Sequence, residues 1–192
     1  MPELDAVIAI TSGTRDMARV MNLVWELILP GIQKAPLAAD PEAQQKLAAR
    51  LASVTMPMPA GAVTSPTLAR IAGKRFQFEP NAMGLETILV ERGETDRDVT
   101  FTAKIGGSEQ RFSATGGAWT KGTMSQGGVL DAIATGGAWT TGDTYTLKVV
   151  RYRTPFATTY RMRFSGDLVV VNSEQNVGFG QTQSPQLVGA VK

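Results

Sequence analysis

Between Thr140 and Val171 three runs of β-branched and aromatic residues follow one another, broken only at Arg153-Thr154-Pro155 and at Ser165-Gly166-Asp167. Breaks this short cannot hold a crossover helix, so the three runs must pair as consecutive antiparallel strands. Pro155 has no N–H to give a ladder, and Gly166 accepts the positive φ of a tight turn. The stretch is therefore a meander, and what precedes it must supply the rest of a sheet.

Short candidate strands recur at regular intervals upstream: Gly73–Phe78, Glu86–Glu91, Asp98–Ile105, Gln110–Ala114 and Leu130–Ala134, with Leu187–Val191 placed to close the sheet. So many strands in residues 69–192 would leave long unprotected edges in an open sheet, which favours closure. The expected fold is mainly β with an amino-terminal α segment. It is an antiparallel, up-and-down, lipocalin-like barrel of about eight strands, preceded by a strand and two helices.

The amino-terminal third reads differently. Leu4–Ile10 is a short apolar run suited to a buried strand, ended by Thr11-Ser12-Gly13-Thr14. A helix is predicted from about Arg15 to Leu29, where Met17, Val20, Met21, Val24 and Ile28 recur at helical spacing and Leu23, Trp25 and Leu27 leave little polar face. Pro30-Gly31 stops it. Asp40-Pro41-Glu42 is a well-formed start for a second helix running to about Ser53, with Asp40 as N-cap and Pro41 at the first helical position. The segment from Thr55 to Pro66 is rich in proline and small residues and reads as a linker.

Several function classes are limited by what the 192 residues contain. There is no histidine and no cysteine, which removes histidine-based relays, imidazole and thiolate metal sites and disulfides, and leaves the compartment undetermined. The net charge of +2 arises from 19 basic and 17 acidic residues spread along the chain, so nucleic acid is not an expected partner. No apolar run reaches the length of a membrane span, and the amino terminus lacks the basic stretch and cleavage site of a signal peptide. No cofactor and no metal is implied. Glu91–Asp98 is acidic but lacks the ligand spacing of a calcium loop and reads as a solvated hairpin tip.

Five residues stand out as possible ligand contacts: Trp119, Trp139, Tyr152, Arg161 and Arg163. The two tryptophans sit in a repeated heptapeptide, Ala114–Thr120 and Ala134–Thr140, each reading Ala-Thr-Gly-Gly-Ala-Trp-Thr. Either each Gly-Gly marks a bulge or turn while each tryptophan plugs or covers the barrel, or the rings form a platform for a flat ligand. Arg151, Arg153, Arg161 and Arg163 alternate along two neighbouring strands. They line either an anion site on one face or a charged outer surface, with Asp143 and Glu174 as ion partners.

Phe78-Glu79-Pro80-Asn81, Gly84-Leu85-Glu86, Tyr152–Phe156, Phe164–Asp167 and Asn176–Gly180 resemble the carboxy-terminal domain appended to bacterial serine hydrolases of the β-lactamase/penicillin-binding family. Pro2–Ser12 followed by Met17–Pro30 resembles the last strand and last helix of the catalytic domain of the same proteins. The resemblance implies a remnant of a catalytic domain at 1–35, a helix and linker at 36–68, and a non-catalytic accessory barrel at 69–192 that assists a hydrolase. The compartment would be periplasmic or extracellular if that parent is exported and cytoplasmic otherwise. The SxxK, YxN and KTG or HxG motifs have no counterpart, so no catalytic role carries over. The implied partner is the parent's catalytic domain. A homodimer through the amino-terminal strand and helix is a second expected association, and a small-molecule binding barrel is the alternative function.

Overall fold

A computed structural model describes residues 1–33 and 35–192 and divides them into two compact units, Met1–Pro57 and Met58–Lys192. Lys34, inside the first predicted segment, lies outside the described residues.

The first unit is helical. After a 3-10 turn at Pro2–Leu4, helix α1 spans Met17–Leu23 and runs on through a π-helical turn, Val24–Ile28, into a 3-10 turn, Leu29–Gly31. Asp16 caps α1 by accepting from the Arg19 amide at 2.9 Å. Helix α2, Pro41–Ser53, begins where the sequence places it, and the Asp40 carboxylate accepts from the Ala43 amide at 2.9 Å. The predicted strand at Leu4–Ile10 is not formed. Residues 6–14 have no ladder partner among the described residues, and an extended segment becomes a strand only when a neighbour takes up its N–H and C=O groups. The edge-paired dimer expected from the sequence thereby loses the strand it started from. Among the described residues, no helix is long and apolar enough to cross a membrane.

The second unit is the predicted antiparallel up-and-down barrel, built from ten strands. They are β1 Arg75–Phe78, β2 Leu85–Arg92, β3 Asp98–Ile105, β4 Ser108–Thr115, β5 Thr120–Gln126, β6 Val129–Trp139, β7 Thr144–Val150, β8 Ala157–Ser165, β9 Leu168–Gln175 and β10 Leu187–Val191. All belong to one sheet in the order β4-β3-β2-β1-β10-β9-β8-β7-β6-β5. First and last strands pair, Phe76 opposite Val191 and Phe78 opposite Gly189, so the two free edges, β4 and β5, come from mid-chain and face each other. Strand β5, Thr-Lys-Gly-Thr-Met-Ser-Gln, went unpredicted because it has little β-branched or apolar patterning.

Alternation sends every second side chain inward: Tyr145, Leu147 and Val149 from β7, Met162 and Phe164 from β8, Val169 and Val171 from β9, all buried. One end of the barrel is filled by rings. Phe76, Phe101, Trp139, Tyr145 and Phe164 meet at centroid separations of 5.2–6.2 Å, with Trp139 edge-on to Tyr145 at 5.2 Å. A short helix, α3 (Pro66–Ile71), closes this end by burying Leu68 and Ile71 in the same core. Its position is fixed by Ser65 and Thr67, whose hydroxyls both donate to the Gly142 carbonyl at 2.7 Å. Ala62 adds a two-way backbone bridge to Trp139. Thus part of the segment read as a linker docks on the barrel.

Emptying the Trp139 site should destabilise the protein by about 3–5 kcal/mol in urea unfolding of Trp139→Ala. The Tyr145 hydroxyl is buried without a hydrogen-bond partner among the described residues. Tyr145→Phe should therefore be neutral or stabilising, by up to about 1–3 kcal/mol. A clear loss of stability in Tyr145→Phe would show that the hydroxyl is in fact bonded.

Candidate functional site

The ends of the barrel are unlike. The aromatic plug and α3 occupy the end where β7 begins; at the other end the sheet is rimmed by tight turns and by the β7–β8 loop, 151–156. Gly106-Gly107 and Gly127-Gly128 make two of these turns, all four residues at positive φ as two-residue hairpins require. The longer β9–β10 connection, 176–186, also reaches this end, where Ser184 lines the opening.

Behind this rim lies a cavity of about 480 Å³. Its wall is mixed: Ser108, Gln110, Ser125, Thr158, Ser173 and Gln175 supply polar groups, and Met124 and Val149 supply apolar surface. Met83, Ile105 and Tyr160 also border a small apolar recess of about 50 Å³ that continues inward among Leu85, Ile88, Phe112, Leu147, Met162 and Val171. The interior thus grades from a polar collar to an apolar floor above the ring cluster. That arrangement suits an apolar body with a polar end.

Charge is sparse on this surface. Arg151 is the only charged side chain among the described residues lining the cavity. Its guanidinium lies 3.5 Å from the Asp131 carboxylate, both about one quarter exposed, and 4.9 Å from the centre of the Phe156 ring. Tyr160, one inward-facing position beyond Thr158 along β8, has its phenol pKa raised by burial, against weaker opposing effects of a Thr158 hydrogen bond and the Arg151 charge. At neutral pH it is an intact O–H.

Where β4 and β5 face each other no backbone ladder joins them, and side chains hold the gap instead. The Gln110 amide donates to the Ser125 carbonyl at 3.0 Å and accepts from the Ser125 N–H at 2.9 Å, imitating a strand pair. Lower down, the Thr135 hydroxyl bonds the Ser113 carbonyl, and Thr120 accepts from the Thr115 amide at 3.3 Å. Gln110 and Ser125 line both the interior cavity and a second cavity of about 420 Å³ along this seam, so the Gln110 amide stands between the two.

The residues singled out from the sequence do not converge. Trp139 lies in the plug and is 2 % exposed. Trp119 is half-buried over Gly136, where an added Cβ would come within 3.1 Å of its ring. Tyr152 is exposed, with the Lys121 ammonium 5.9 Å from its ring centre. Arg161 and Arg163 alternate on the outer face of β8; Arg161 meets Glu174 at 3.3 Å. Asp143 has a lowered pKa, chiefly from hydrogen bonds given by Thr141 and Thr144 and least from Arg163. Of the four alternating arginines only Arg151 reaches the cavity wall, beside Tyr160, which the sequence did not single out. A signal for Tyr160 existed, since it shares the parity of Met162 and Phe164 on β8.

No family model matches the chain, and no curated protein does. The solved structures similar to it include two of different name. A fatty-acid-binding protein from Manduca sexta is 16% identical, covering 62% of this chain and 99% of its own, at a TM-score of 0.46. A secretary abundant heat soluble protein from Ramazzottius varieornatus is 8% identical, covering 71% and 100%, at 0.47. The resemblance to the carboxy-terminal region of a β-lactamase/penicillin-binding hydrolase is corrected by these comparisons, which lead to barrels of this kind and not to hydrolase accessory domains. The short motifs behind it are turn and strand-end residues: Asn81 bonds the Leu85 backbone across the β1–β2 turn, and Asn176 bonds Pro155 and Ala157. Turns of this chemistry recur in unrelated sheets. With the resemblance fall the parent catalytic domain as partner and the accessory role.

Gln110→Ala should open the seam. Loss of both hydrogen bonds leaves the Ser125 backbone groups without partners, for a cost of about 1–3 kcal/mol. Hydrogen exchange should accelerate at β4 and β5 while β7–β9 stay protected; uniform acceleration over all ten strands would contradict the localised clasp.

Proposed function

We propose that the chain is a binding protein that holds one small molecule inside its barrel. The observation that carries the reading is the cavity of about 480 Å³, within the range of small-molecule sites, with an apolar recess below and a collar of hydroxyl and amide groups above. A barrel kept only for stability gains nothing from unfilled volume, since unfilled space forfeits dispersion contacts. The ligand's apolar part would rest on Leu147, Met162 and Phe112, and its polar end would meet the collar near Ser173 and Gln110.

The test uses the full chain and a neutral, environment-sensitive dye such as Nile red. Saturable fluorescence enhancement at one site per chain is expected. Ser173→Trp, which places an indole in the cavity, should abolish it while leaving the unfolding midpoint close to that of the parent. Equal enhancement by parent and variant would place the dye elsewhere and sink the proposal.

A further inference from the structure

The polarity of the cavity wall says more about the ligand than its size does. We infer that the preferred ligand is an amphiphile with a single anionic head, which Arg151 receives at the rim while the apolar tail enters the recess. This rests on the cavity being a binding site, as proposed above.

Three observations support the assignment. First, the lining carries one cation and no carboxylate among the described residues, and the nearest like charge, Asp131, is already paired with that cation. A cationic ligand would meet the reverse. Second, the guanidinium is held in place: Asp131 approaches it from one side at 3.5 Å and the Phe156 ring from another at 4.9 Å, while Arg151 still lines the cavity. A guanidinium has several donors in a planar fork, so it can serve Asp131 and a ligand oxygen together. Third, Tyr160 is on the same wall and within electrostatic reach of Arg151, and its protonated phenol offers an O–H to an anionic oxygen.

The fold also bounds the tail. From Arg151, just past the end of β7, to Leu147 is four residues, on the order of 13 Å at the rise of an antiparallel strand. Beyond Leu147 the ring cluster of Tyr145, Phe101 and Trp139 closes the interior. An extended tail much longer than that distance has to bend or leave part of itself at the rim.

The probes are decanoate, decyl sulfate and decanol, competed against Nile red on the full chain, with titration calorimetry as a second readout. Both anions should displace the dye at least about tenfold better than decanol, the factor expected of one charge-assisted hydrogen bond. Added salt should weaken decanoate and leave decanol unchanged, a result that needs no variant. Arg151→Met should bring decanoate down to decanol in calorimetry; Arg151→Lys should keep part of the preference, and Asp131→Asn should strengthen it. Equal affinity for decanoate and decanol in the parent, or full decanoate affinity in a folded Arg151→Met, overturns the anionic head while leaving the binding barrel intact. Failure of the parent to bind the dye or any probe overturns both readings.

Discussion

A ring of ten antiparallel strands encloses more space than its own inward side chains fill, because an interior that about eight strands pack solid widens with each added strand. What decides the character of this protein is where the surplus is left. The rings of Phe76, Phe101, Trp139, Tyr145 and Phe164, sealed by Leu68 and Ile71 of α3, fill one end completely. All the surplus is thereby displaced to the other, where the inward positions carry serine, threonine and glutamine. The cavity follows from the plug.

The plug depends in turn on Gly137. The heptapeptide that occurs twice forms a turn the first time, around Gly116-Gly117 between β4 and β5, and a strand the second, inside β6. Identical sequence therefore does not decide local structure here; ladder partners do. In the second copy Gly137 admits the Tyr145 ring, whose atoms would lie 2.4–2.6 Å from an added Cβ, and Gly136 admits the ring of Trp119 from the first copy. The repeat thus supplies both empty places and one of the two rings that fill them, Trp119. Burial, with the Asp98 charge as a smaller contribution, keeps the Tyr145 phenol protonated.

Strands β3 and β10 stand in the sequence with the bounds they have in the structure, and α2 with its cap, because hydrophobic alternation and Asx-Pro starts are local signals. Strand β5 was illegible since its polar residues are held by the ladder to β6 and by Gln110, both non-local. The apolar run Leu4–Ile10 misled for the converse reason: composition fitted a strand, and no ladder partner is present among the described residues. The cavity is a difference between enclosed volume and side-chain volume, which no single stretch of sequence encodes.

Arg151 shows how far alternation can be carried. Counted straight along the chain it shares parity with Arg153, Arg161 and Arg163, and all four seem to belong to one face. The count fails at the loop, because parity is meaningful only while the ladder lasts, and β7 ends at Val150. Beyond it the chain turns through Pro155, with the Arg151 amide bonded to the Phe156 carbonyl and Thr154 to the Arg151 carbonyl, and parity restarts when β8 begins at Ala157. Arg161 and Arg163 then face outward among Glu174 and Asp143, where solvent screens them and their pairs contribute little. Arg151, before the turn, keeps the inward parity of Tyr145, Leu147 and Val149 and ends on the cavity wall. A cation in that position tolerates partial burial because Asp131 and the Phe156 ring share its charge. The same loop that breaks the pattern therefore separates an outward arginine surface from Arg151 on the cavity wall.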